Sequence, residues 1–181
     1  MIHIIIPVRN RENSRIQTCI DYVNKSIKDK KIIVVDYSSD KKVKVKDAEI
    51  YRIDNMPEWN KCHAINLAVK KYNPEYIMTL DCDILITQEI GKQIEETLGD
   101  CLIIDTNVRR IQVEKISTTN SMVSKSTSYH SDDKSQFFNQ ANGGFQVYTK
   151  EFFDLVGGLP ESLGYMWGGH DNWVYYVARM R

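Results

Sequence analysis

The chain has little cysteine, glycine or proline, and it carries no excess charge of either sign. Four cysteines without C-x-x-C spacing exclude a zinc ribbon and a disulfide scaffold, so we expect reduced thiols and a cytoplasmic location. Basic and acidic residues balance at 24 each, which argues against non-specific binding of nucleic acid. With 42% apolar residues, this composition is typical of an ordinary globular protein. The cysteines are Cys19, Cys62, Cys82 and Cys101.

Long hydrophobic runs are also missing. The N-terminus, MIHIIIPVRNR, has no basic region followed by a long apolar stretch, so we expect neither a signal peptide nor a membrane span there, and membrane association is not indicated. A length of 181 residues predicts a single domain over residues 1–181. The chain ends inside a pattern that predicts a helix, so truncation at the C-terminus stays open.

Short β-branched runs alternate with segments of helical spacing. This alternation predicts an open α/β sheet, whose ligands bind beyond the carboxyl ends of the strands. Arg9, Asp36 and the pair Asp81 and Asp83 each follow or end a predicted strand, so we expect them to converge on one crevice. In chain order we predict strands at 2–7, 31–36, 48–54 and 75–85, with helices at 14–29 and 60–72.

Two segments have unusual composition. Residues 105–142 are rich in Ser, Thr and charge, which predicts a mobile excursion with an edge strand near RRIQVEK. The basic run Lys41 to Lys46 is interpreted as a solvated strand or loop, with a binding surface as the alternative.

The stretch LDCDIL places two carboxylates, Asp81 and Asp83, two residues apart at a strand end. Strand alternation would send both to the same side, where their hard oxygens could hold Mg²⁺ or Mn²⁺ against a diphosphate. The alternative is a solvated strand end.

Two further strand ends carry candidate ligand-binding residues. PVRNR presents Arg9 and Arg11, whose guanidinium groups suit phosphate oxygens, although a surface turn would look the same. Asp36 could accept hydrogen bonds from a uracil or ribose, or could cap a loop.

The late stretch WGGHDN combines an aromatic ring, two glycines and a carboxylate. Trp167 could stack on a sugar, and Asp171 could act as a general base. Asp171 could equally cap the following predicted helix. A His170–Asp171 metal phosphohydrolase is disfavoured, because only His3, His63 and His130 remain as further histidines.

Three blocks together resemble a known family. IIIPVRNRENSR, PEWNKCHAINLAVKKYNPEYIMTLDCDIL and GGFQVYTKEFFDLVGGLPESLGYMWGGHDNWVYYVARM are similar to inverting glycosyltransferases of the GT-A fold. The nearest resemblance is to beta-1,4-galactosyltransferases, N-acetylgalactosaminyltransferase-type enzymes and the large family of bacterial inverting glycosyltransferases. It implies a Rossmann-like mixed sheet flanked by helices, a UDP-sugar donor, a saccharide or glycan acceptor and Mn²⁺ or Mg²⁺ as cofactor.

The resemblance also implies roles for particular residues. Trp59 stacks on uracil with Lys61 beside it, Asp83 is the direct metal ligand with Asp81 assisting, and Asp171 is the catalytic base. His170 stands where the family has glutamate, so we expect acceptor binding to differ. The implied nucleotide-sugar site comprises Pro7, Val8, Arg9, Arg11, Asp36, Trp59, Lys61, Asp81, Cys82, Asp83, Gly144 and Trp167. The implied acceptor site comprises Trp167, Gly168, Gly169, His170 and Asp171.

Two other functions remain as alternatives. One is a sugar-nucleotide-binding module with little turnover. The other is a nucleotidyltransferase, which shares the sheet and the paired carboxylates but normally has a glycine-rich basic loop that PVRNR does not supply. A galactose-type or N-acetylgalactosamine-type sugar is favoured, whereas the acceptor is not predicted by the sequence.

Overall fold

The computed structural model describes residues 1–98, 103–104, 144–165, 173–174 and 177. The strands are β1 (Ile2–Val8), β2 (Lys30–Tyr37), β3 (Glu49–Ile53), β4 (Tyr76–Leu80), β5 (Ile103–Ile104) and β6 (Phe145–Thr149). The helices are α1 (Asn13–Ser26), α2 (Lys61–Tyr72), α3 (Gln88–Thr97) and α4 (Lys150–Leu155), and a 3-10 turn covers Glu161–Leu163.

The six strands form one mixed sheet in the order β3-β2-β1-β4-β6-β5. Strands β3, β2, β1 and β4 are parallel, and β6 lies antiparallel between β4 and β5. The predicted β-α-β order and the mixed α/β sheet flanked by helices are confirmed. Parallel pairing brings the carboxyl ends of β1, β2 and β4 to the same edge of the sheet.

Each face of the sheet buries its own apolar cluster. All seven residues of β1 are buried, and its isoleucines alternate between the two faces. On one face Ile4 packs in the cluster that includes Ile16 and Ile20 of α1, and on the other Ile5 packs in the cluster that includes Ile65 of α2. Full burial of such a side chain contributes about 1.5–3 kcal/mol, which explains the nearly continuous β-branched runs.

Helix α3 follows β4 closely and was not predicted from the sequence. A Cβ on Gly91 would lie 2.1 Å from the backbone oxygen of Ser26, so glycine allows α3 to pack against the end of α1. The Ser26 hydroxyl also donates to the carbonyl oxygen of Ile86 over 2.6 Å. These contacts fix the segment that runs from the end of β4 into α3.

The strand predicted over 75–85 is shorter in the structure. Strand β4 ends at Leu80, and the amide of Ile84 donates to the carbonyl of Asp81 over 3.1 Å, which closes a turn. Because the strand has already ended, alternation along β4 does not determine where the Asp81 and Asp83 side chains point. The turn determines their directions instead.

Other expectations have mixed outcomes. The segment Lys41 to Lys46 is a loop with four exposed lysines, as predicted, whereas the excursion predicted over 105–142 lies outside the described residues. Cys19, Cys62 and Cys82 are free thiols. No helix within the described ranges combines the length and apolar character needed to cross a membrane.

Candidate functional site

Five side chains from three strand ends and the start of α2 form what we call the strand-end cluster: Arg9, Tyr37, Trp59, Lys61 and Asp81. Helix α2 begins at Lys61, after the N-cap residue Asn60, whose side-chain oxygen accepts from the amide of His63 over 2.9 Å. The first turn of α2 therefore lies beside the ends of β1, β2 and β4. The contacts below pair Tyr37 with Trp59 and Lys61 with Asp81, and they join Arg9 to the loop that carries Trp59.

Lys61 and Asp81 form the shortest ion pair of the cluster. The lysine Nζ lies 2.5 Å from Asp81 Oδ1, with the two side chains 13% and 36% exposed. The amide of Asp81 donates to the carbonyl of Gly144 over 2.7 Å, and Gly144 has a φ of 93°, which favours glycine. Asp83, two residues further on, is exposed. The turn thus presents one paired and one open carboxylate.

Cys82 separates the two carboxylates but points into the core. Its side chain packs in the apolar cluster of the α1 face, together with Cys19. Burial raises the pKa of the Cys82 thiol and Asp83 adds to this, while Arg11 and Arg15 oppose it. The sequence placed Cys82 in the nucleotide-sugar site, and the structure shows a buried thiol there.

The donor set at this turn fits a hard divalent cation held together with a diphosphate. Two carboxylates at a strand end are the ligands that Mg²⁺ and Mn²⁺ share with substrate phosphates, in contrast to a closed cage of protein ligands. Among the residues described, no group of three or more His, Cys, Asp and Glu side chains could hold a metal ion. Asp81 and Asp83 would therefore need oxygens from a ligand, water or other residues to complete the coordination.

Arg9 lies at the end of β1 and reaches the loop before α2. Its Nη2 donates to the carbonyl of Pro57 over 3.3 Å, whereas Nη1 is buried and, among the described residues, has no hydrogen-bond partner. Pro7 and Val8 are buried within β1, while Arg11 is exposed. The sequence-predicted arginine pair thus divides into one partly buried and one solvent-facing guanidinium.

Tyr37 and Trp59 form the aromatic part of the cluster. Their rings meet edge to face with centroids 5.7 Å apart, and the Tyr37 hydroxyl lies 2.6 Å from His63 Nδ1. Burial raises the pKa of Tyr37, Tyr165 and Glu161 add to the increase, and Arg9 opposes it. Sequence reasoning missed Tyr37 and His63, although Tyr37 directly follows the acidic residue at the end of β2.

Asp36 is placed differently from the prediction of a uracil or ribose contact. Its side chain has 0% exposure and accepts from the amides of Ser39 and Val43, both over 3.1 Å, and from Arg52 Nη1 over 2.6 Å. Burial alone would raise the pKa of Asp36, but these hydrogen bonds outweigh it and lower the pKa. In this structure the carboxylate organises the loop after β2 and offers no surface to a ligand.

The segment from Gly157 to Tyr165 is anchored along α2 by two asparagines that sequence reasoning missed. Asn60 Nδ2 donates to the carbonyl of Glu161 over 2.9 Å, and Asn66 both donates to the carbonyl of Leu159 and accepts from its amide. The amide of Lys61 donates to the carbonyl of Gly164 over 3.1 Å. The signal for Asn60 was available, because asparagine before an apolar helical pattern is typical of an N-cap.

The predicted acceptor and catalytic residues lie outside the described residues. These are Trp167, Gly168, Gly169, His170 and Asp171. The chain enters that stretch from Tyr165, an exposed ring directly after Gly164. The structure therefore shows that the chain leading into this stretch lies next to Lys61, and these five residues remain predictions.

The chain is similar to known glycosyltransferases in its sequence profile and in its fold. The sequence profile of Glycosyl transferase family 2 matches residues 3–154. A search of curated proteins gave no match. Among solved structures, the mannosyltransferase PcManGT from Pyrobaculum calidifontis, in complex with GDP-Man and Mn²⁺, is similar with a TM-score of 0.65 and 16% identity, over 99% of this chain and 52% of that one.

A second similar structure is S. aureus TarS 1-349. It has a TM-score of 0.60 and 16% identity, over 98% of this chain and 54% of that one. The complex of TarS 1-349 with UDP-GlcNAc has a TM-score of 0.56 and 17% identity, over 88% and 48%. The chain thus spans about half of the length of these structures.

At these identities the structural likeness shows the fold, and it confirms the expected GT-A fold. The narrower resemblance to beta-1,4-galactosyltransferases is not shown by these comparisons. The profile covers most of the chain, including the strand-end cluster and the turn at Asp81. The chain therefore belongs to glycosyl transferase family 2.

Proposed function

We propose that residues 1–181 form a single glycosyltransferase domain that moves a sugar from a UDP-sugar to a saccharide hydroxyl, with inversion and with Mn²⁺ or Mg²⁺. The observation that carries the proposal is the ion pair between Lys61 and Asp81, which joins the start of α2 to the turn after β4. Around it stand a buried arginine nitrogen, an aromatic pair and the open carboxylate of Asp83. Cations and carboxylates so arranged suit a diphosphate with a divalent ion.

In this proposal the donor lies across the carboxyl ends of β1 and β4. Arg9 and Arg11 contact its phosphate oxygens, and Trp59 packs against the uracil ring from the mouth of the cluster. Gly144 brings the start of β6 close to the sugar. Asp36 acts indirectly, because its hydrogen bonds already use its oxygens and hold the loop that borders the base.

The metal would be held by Asp83, with Asp81 assisting. When bound there, a divalent cation stabilises the negative charge that develops on the departing diphosphate. The similar mannosyltransferase structure contains Mn²⁺, which supports a divalent ion in the present fold. The positive end of α2 and the Lys61 ammonium add to the attraction for the phosphates.

Asp171 is the proposed catalytic base, and Trp167, Gly168, Gly169 and His170 are proposed to bind the acceptor. Asp171 takes the proton of the acceptor hydroxyl, whose oxygen attacks the anomeric carbon opposite the UDP group. The bond from that carbon to UDP breaks as the new one forms, so a single displacement inverts the centre. The support is positional, since Asn60 and Asn66 anchor the chain that leads into this segment beside the donor side.

UDP is proposed as the nucleotide, with a galactose or N-acetylgalactosamine type of sugar as the narrower form of the proposal. The TarS structures contain UDP or UDP-GlcNAc, whereas the mannosyltransferase contains GDP-Man, so the neighbours allow either nucleotide. The motif around Trp59 favours uracil. The sugar type depends on the motif resemblance alone.

A thermal-shift panel of UDP-, GDP- and CMP-sugars with Mn²⁺ tests the proposal. A hundredfold excess of the correct donor over its Kd should stabilise the protein by about 2.7 kcal/mol. Slow release of UDP from the stabilising donor would support a transferase, and binding without any release would favour a binding module. An equal response to all three nucleotides would overturn the choice of UDP.

A further inference from the structure

The ion pair between Lys61 and Asp81 has a consequence for the order in which ligands bind. We infer that Lys61 serves as an internal counter-ion which occupies Asp81 in the donor-free protein and keeps a divalent cation from using both carboxylates. The inference rests on the proposed function, because it concerns the same turn. Lys61 is then a positioning residue that makes tight cation binding depend on the donor.

Burial gives the pair its strength. The Lys61 side chain is 13% exposed and that of Asp81 is 36% exposed, so water screens the pair less than it screens a fully exposed one. The Lys61 amide is also fixed by its bond to Gly164, and the Asp81 amide by its bond to the carbonyl of Gly144. Backbone hydrogen bonds thus hold both residues of the pair. A divalent cation that binds Asp81 would have to displace the Lys61 ammonium group from it.

Asp83 differs from Asp81 in this respect. Within the described part of the chain, Asp83 takes part in no ion pair and its side chain is exposed. A divalent cation arriving alone therefore meets one open carboxylate, and a single exposed carboxylate binds such ions weakly. The donor's diphosphate changes the balance, because its oxygens compete for the Lys61 ammonium and free Asp81.

Mn²⁺ binding without any nucleotide is the direct test. Titration of Lys61→Met with Mn²⁺, followed by the electron paramagnetic resonance signal of free Mn²⁺, should give a Kd about three- to tenfold lower than that of the wild type. Lys70→Met is the matched control, since it removes the same charge from an exposed position of α2, and it should leave the Kd unchanged.

A double-mutant cycle isolates the pair. In the wild-type background Asp81→Asn should change the Kd for Mn²⁺ alone less than about twofold, whereas in the Lys61→Met background it should reverse the gain. If Lys61→Met does not fold, Lys61→Gln replaces it in the cycle. An Asp81→Asn effect as large as that of Asp83→Asn in the wild type would overturn the inference.

A measurement of UDP binding distinguishes a failure of this inference from a failure of the proposed function. With Mn²⁺ present, Lys61→Met should bind UDP about tenfold more weakly than the wild type, which is opposite in sign to its effect on Mn²⁺ alone. If wild type binds no UDP with Mn²⁺, the proposed function fails. If it does bind, and Lys61→Met leaves the Kd for Mn²⁺ alone unchanged, only the counter-ion role fails.

Discussion

The ends of β2 and β4 each carry an aspartate at the same edge of the sheet, yet the two carboxylates have different surroundings. Asp36 is fully buried and accepts hydrogen bonds from two amides and a guanidinium. Asp81 is 36% exposed and, among the residues that the structure describes, has one ion pair, with Lys61. Position after a strand therefore does not distinguish a structural carboxylate from one that is available to a ligand; the number of partners does.

The partners of Asp36 extend its influence to the next loop. Ser39, which donates to Asp36, accepts from the amide of Asn10 over 2.9 Å. The Asn10 side chain then donates to Asp40 Oδ2 over 3.2 Å and accepts from the Asp40 amide over 2.8 Å. The Asp36 carboxylate, which already accepts several hydrogen bonds, thus helps to fix the turn after Arg9. The turn after β4 instead leaves the Asp83 side chain exposed.

The largest effect is expected from the open carboxylate after β4. Asp83→Asn should lower kcat/KM for UDP-sugar turnover by about a hundredfold or more, because a divalent ion contributes several kcal/mol of charge stabilisation to such reactions. Its thermal stability should stay close to that of the wild type, since the side chain is exposed. Turnover is measured as UDP release in the presence of Mn²⁺.

The control for Asp83→Asn is Glu96→Gln, an exposed carboxylate of α3 that pairs with Lys92 at 3.6 Å. It should leave turnover unchanged. Comparable turnover in Asp83→Asn and the wild type would mean that the turn after β4 does not hold the metal, and the contrast with β2 would lose its functional meaning.

For Asp36, whose carboxylate already accepts several hydrogen bonds, substitution should instead lower stability. Asp36→Asn should lower the free energy of unfolding by about 1.5–3 kcal/mol, because a neutral amide replaces the charged oxygens that accept from two backbone amides and from Arg52. Urea denaturation measures the loss. Asp54→Asn is a matched control, since Asp54 pairs with the same guanidinium at 2.6 Å but is 60% exposed, and it should cost less than about 1 kcal/mol.

This contrast also marks how much could be predicted from the sequence. The strands up to Leu80 and the helices α1 and α2 follow from apolar spacing, since burial on two faces leaves a periodic pattern. The surroundings of Asp36 do not, because Val43 is brought back by the loop after β2 and Arg52 by the register of β3 against β2. The same reasoning explains the short β4, whose end depends on a turn bond between Asp81 and Ile84.

A substitution in the loop beside Lys61 should have a smaller effect on the site at the end of β4. In Gly164→Ala the new Cβ would lie 1.8 Å from Asn60 Oδ1, so the loop must shift and weaken its bond to the Lys61 amide. We expect a loss of about 1–3 kcal/mol in stability and a several-fold fall in kcat. Urea denaturation and UDP release measure the two effects.

Gly157→Ala serves as its comparison. Gly157 has a φ of 77° and open space around its Cα, so alanine there strains the backbone without contacting α2. It should lower stability with kcat unchanged. Equal falls in kcat for both variants would show that Gly164 matters through general stability and has no particular link to Lys61.

The smallest effect is expected in acid, and it concerns the carboxylate at the end of β2. The pKa of Asp36 is lowered below its ordinary value of 3.8, so the unfolded chain binds the proton more readily than the folded one. Its contribution to stability is therefore fully present above 3.8 and is lost as the pH falls through the lower folded-state value. Urea midpoints measured from about pH 5 to pH 2 should fall less steeply for Asp36→Asn than for the wild type. Asp54→Asn, which keeps the Asp36 carboxylate, should retain nearly the full slope; parallel slopes in all three proteins would mean that the hydrogen bonds from Ser39, Val43 and Arg52 do not favour the charged form.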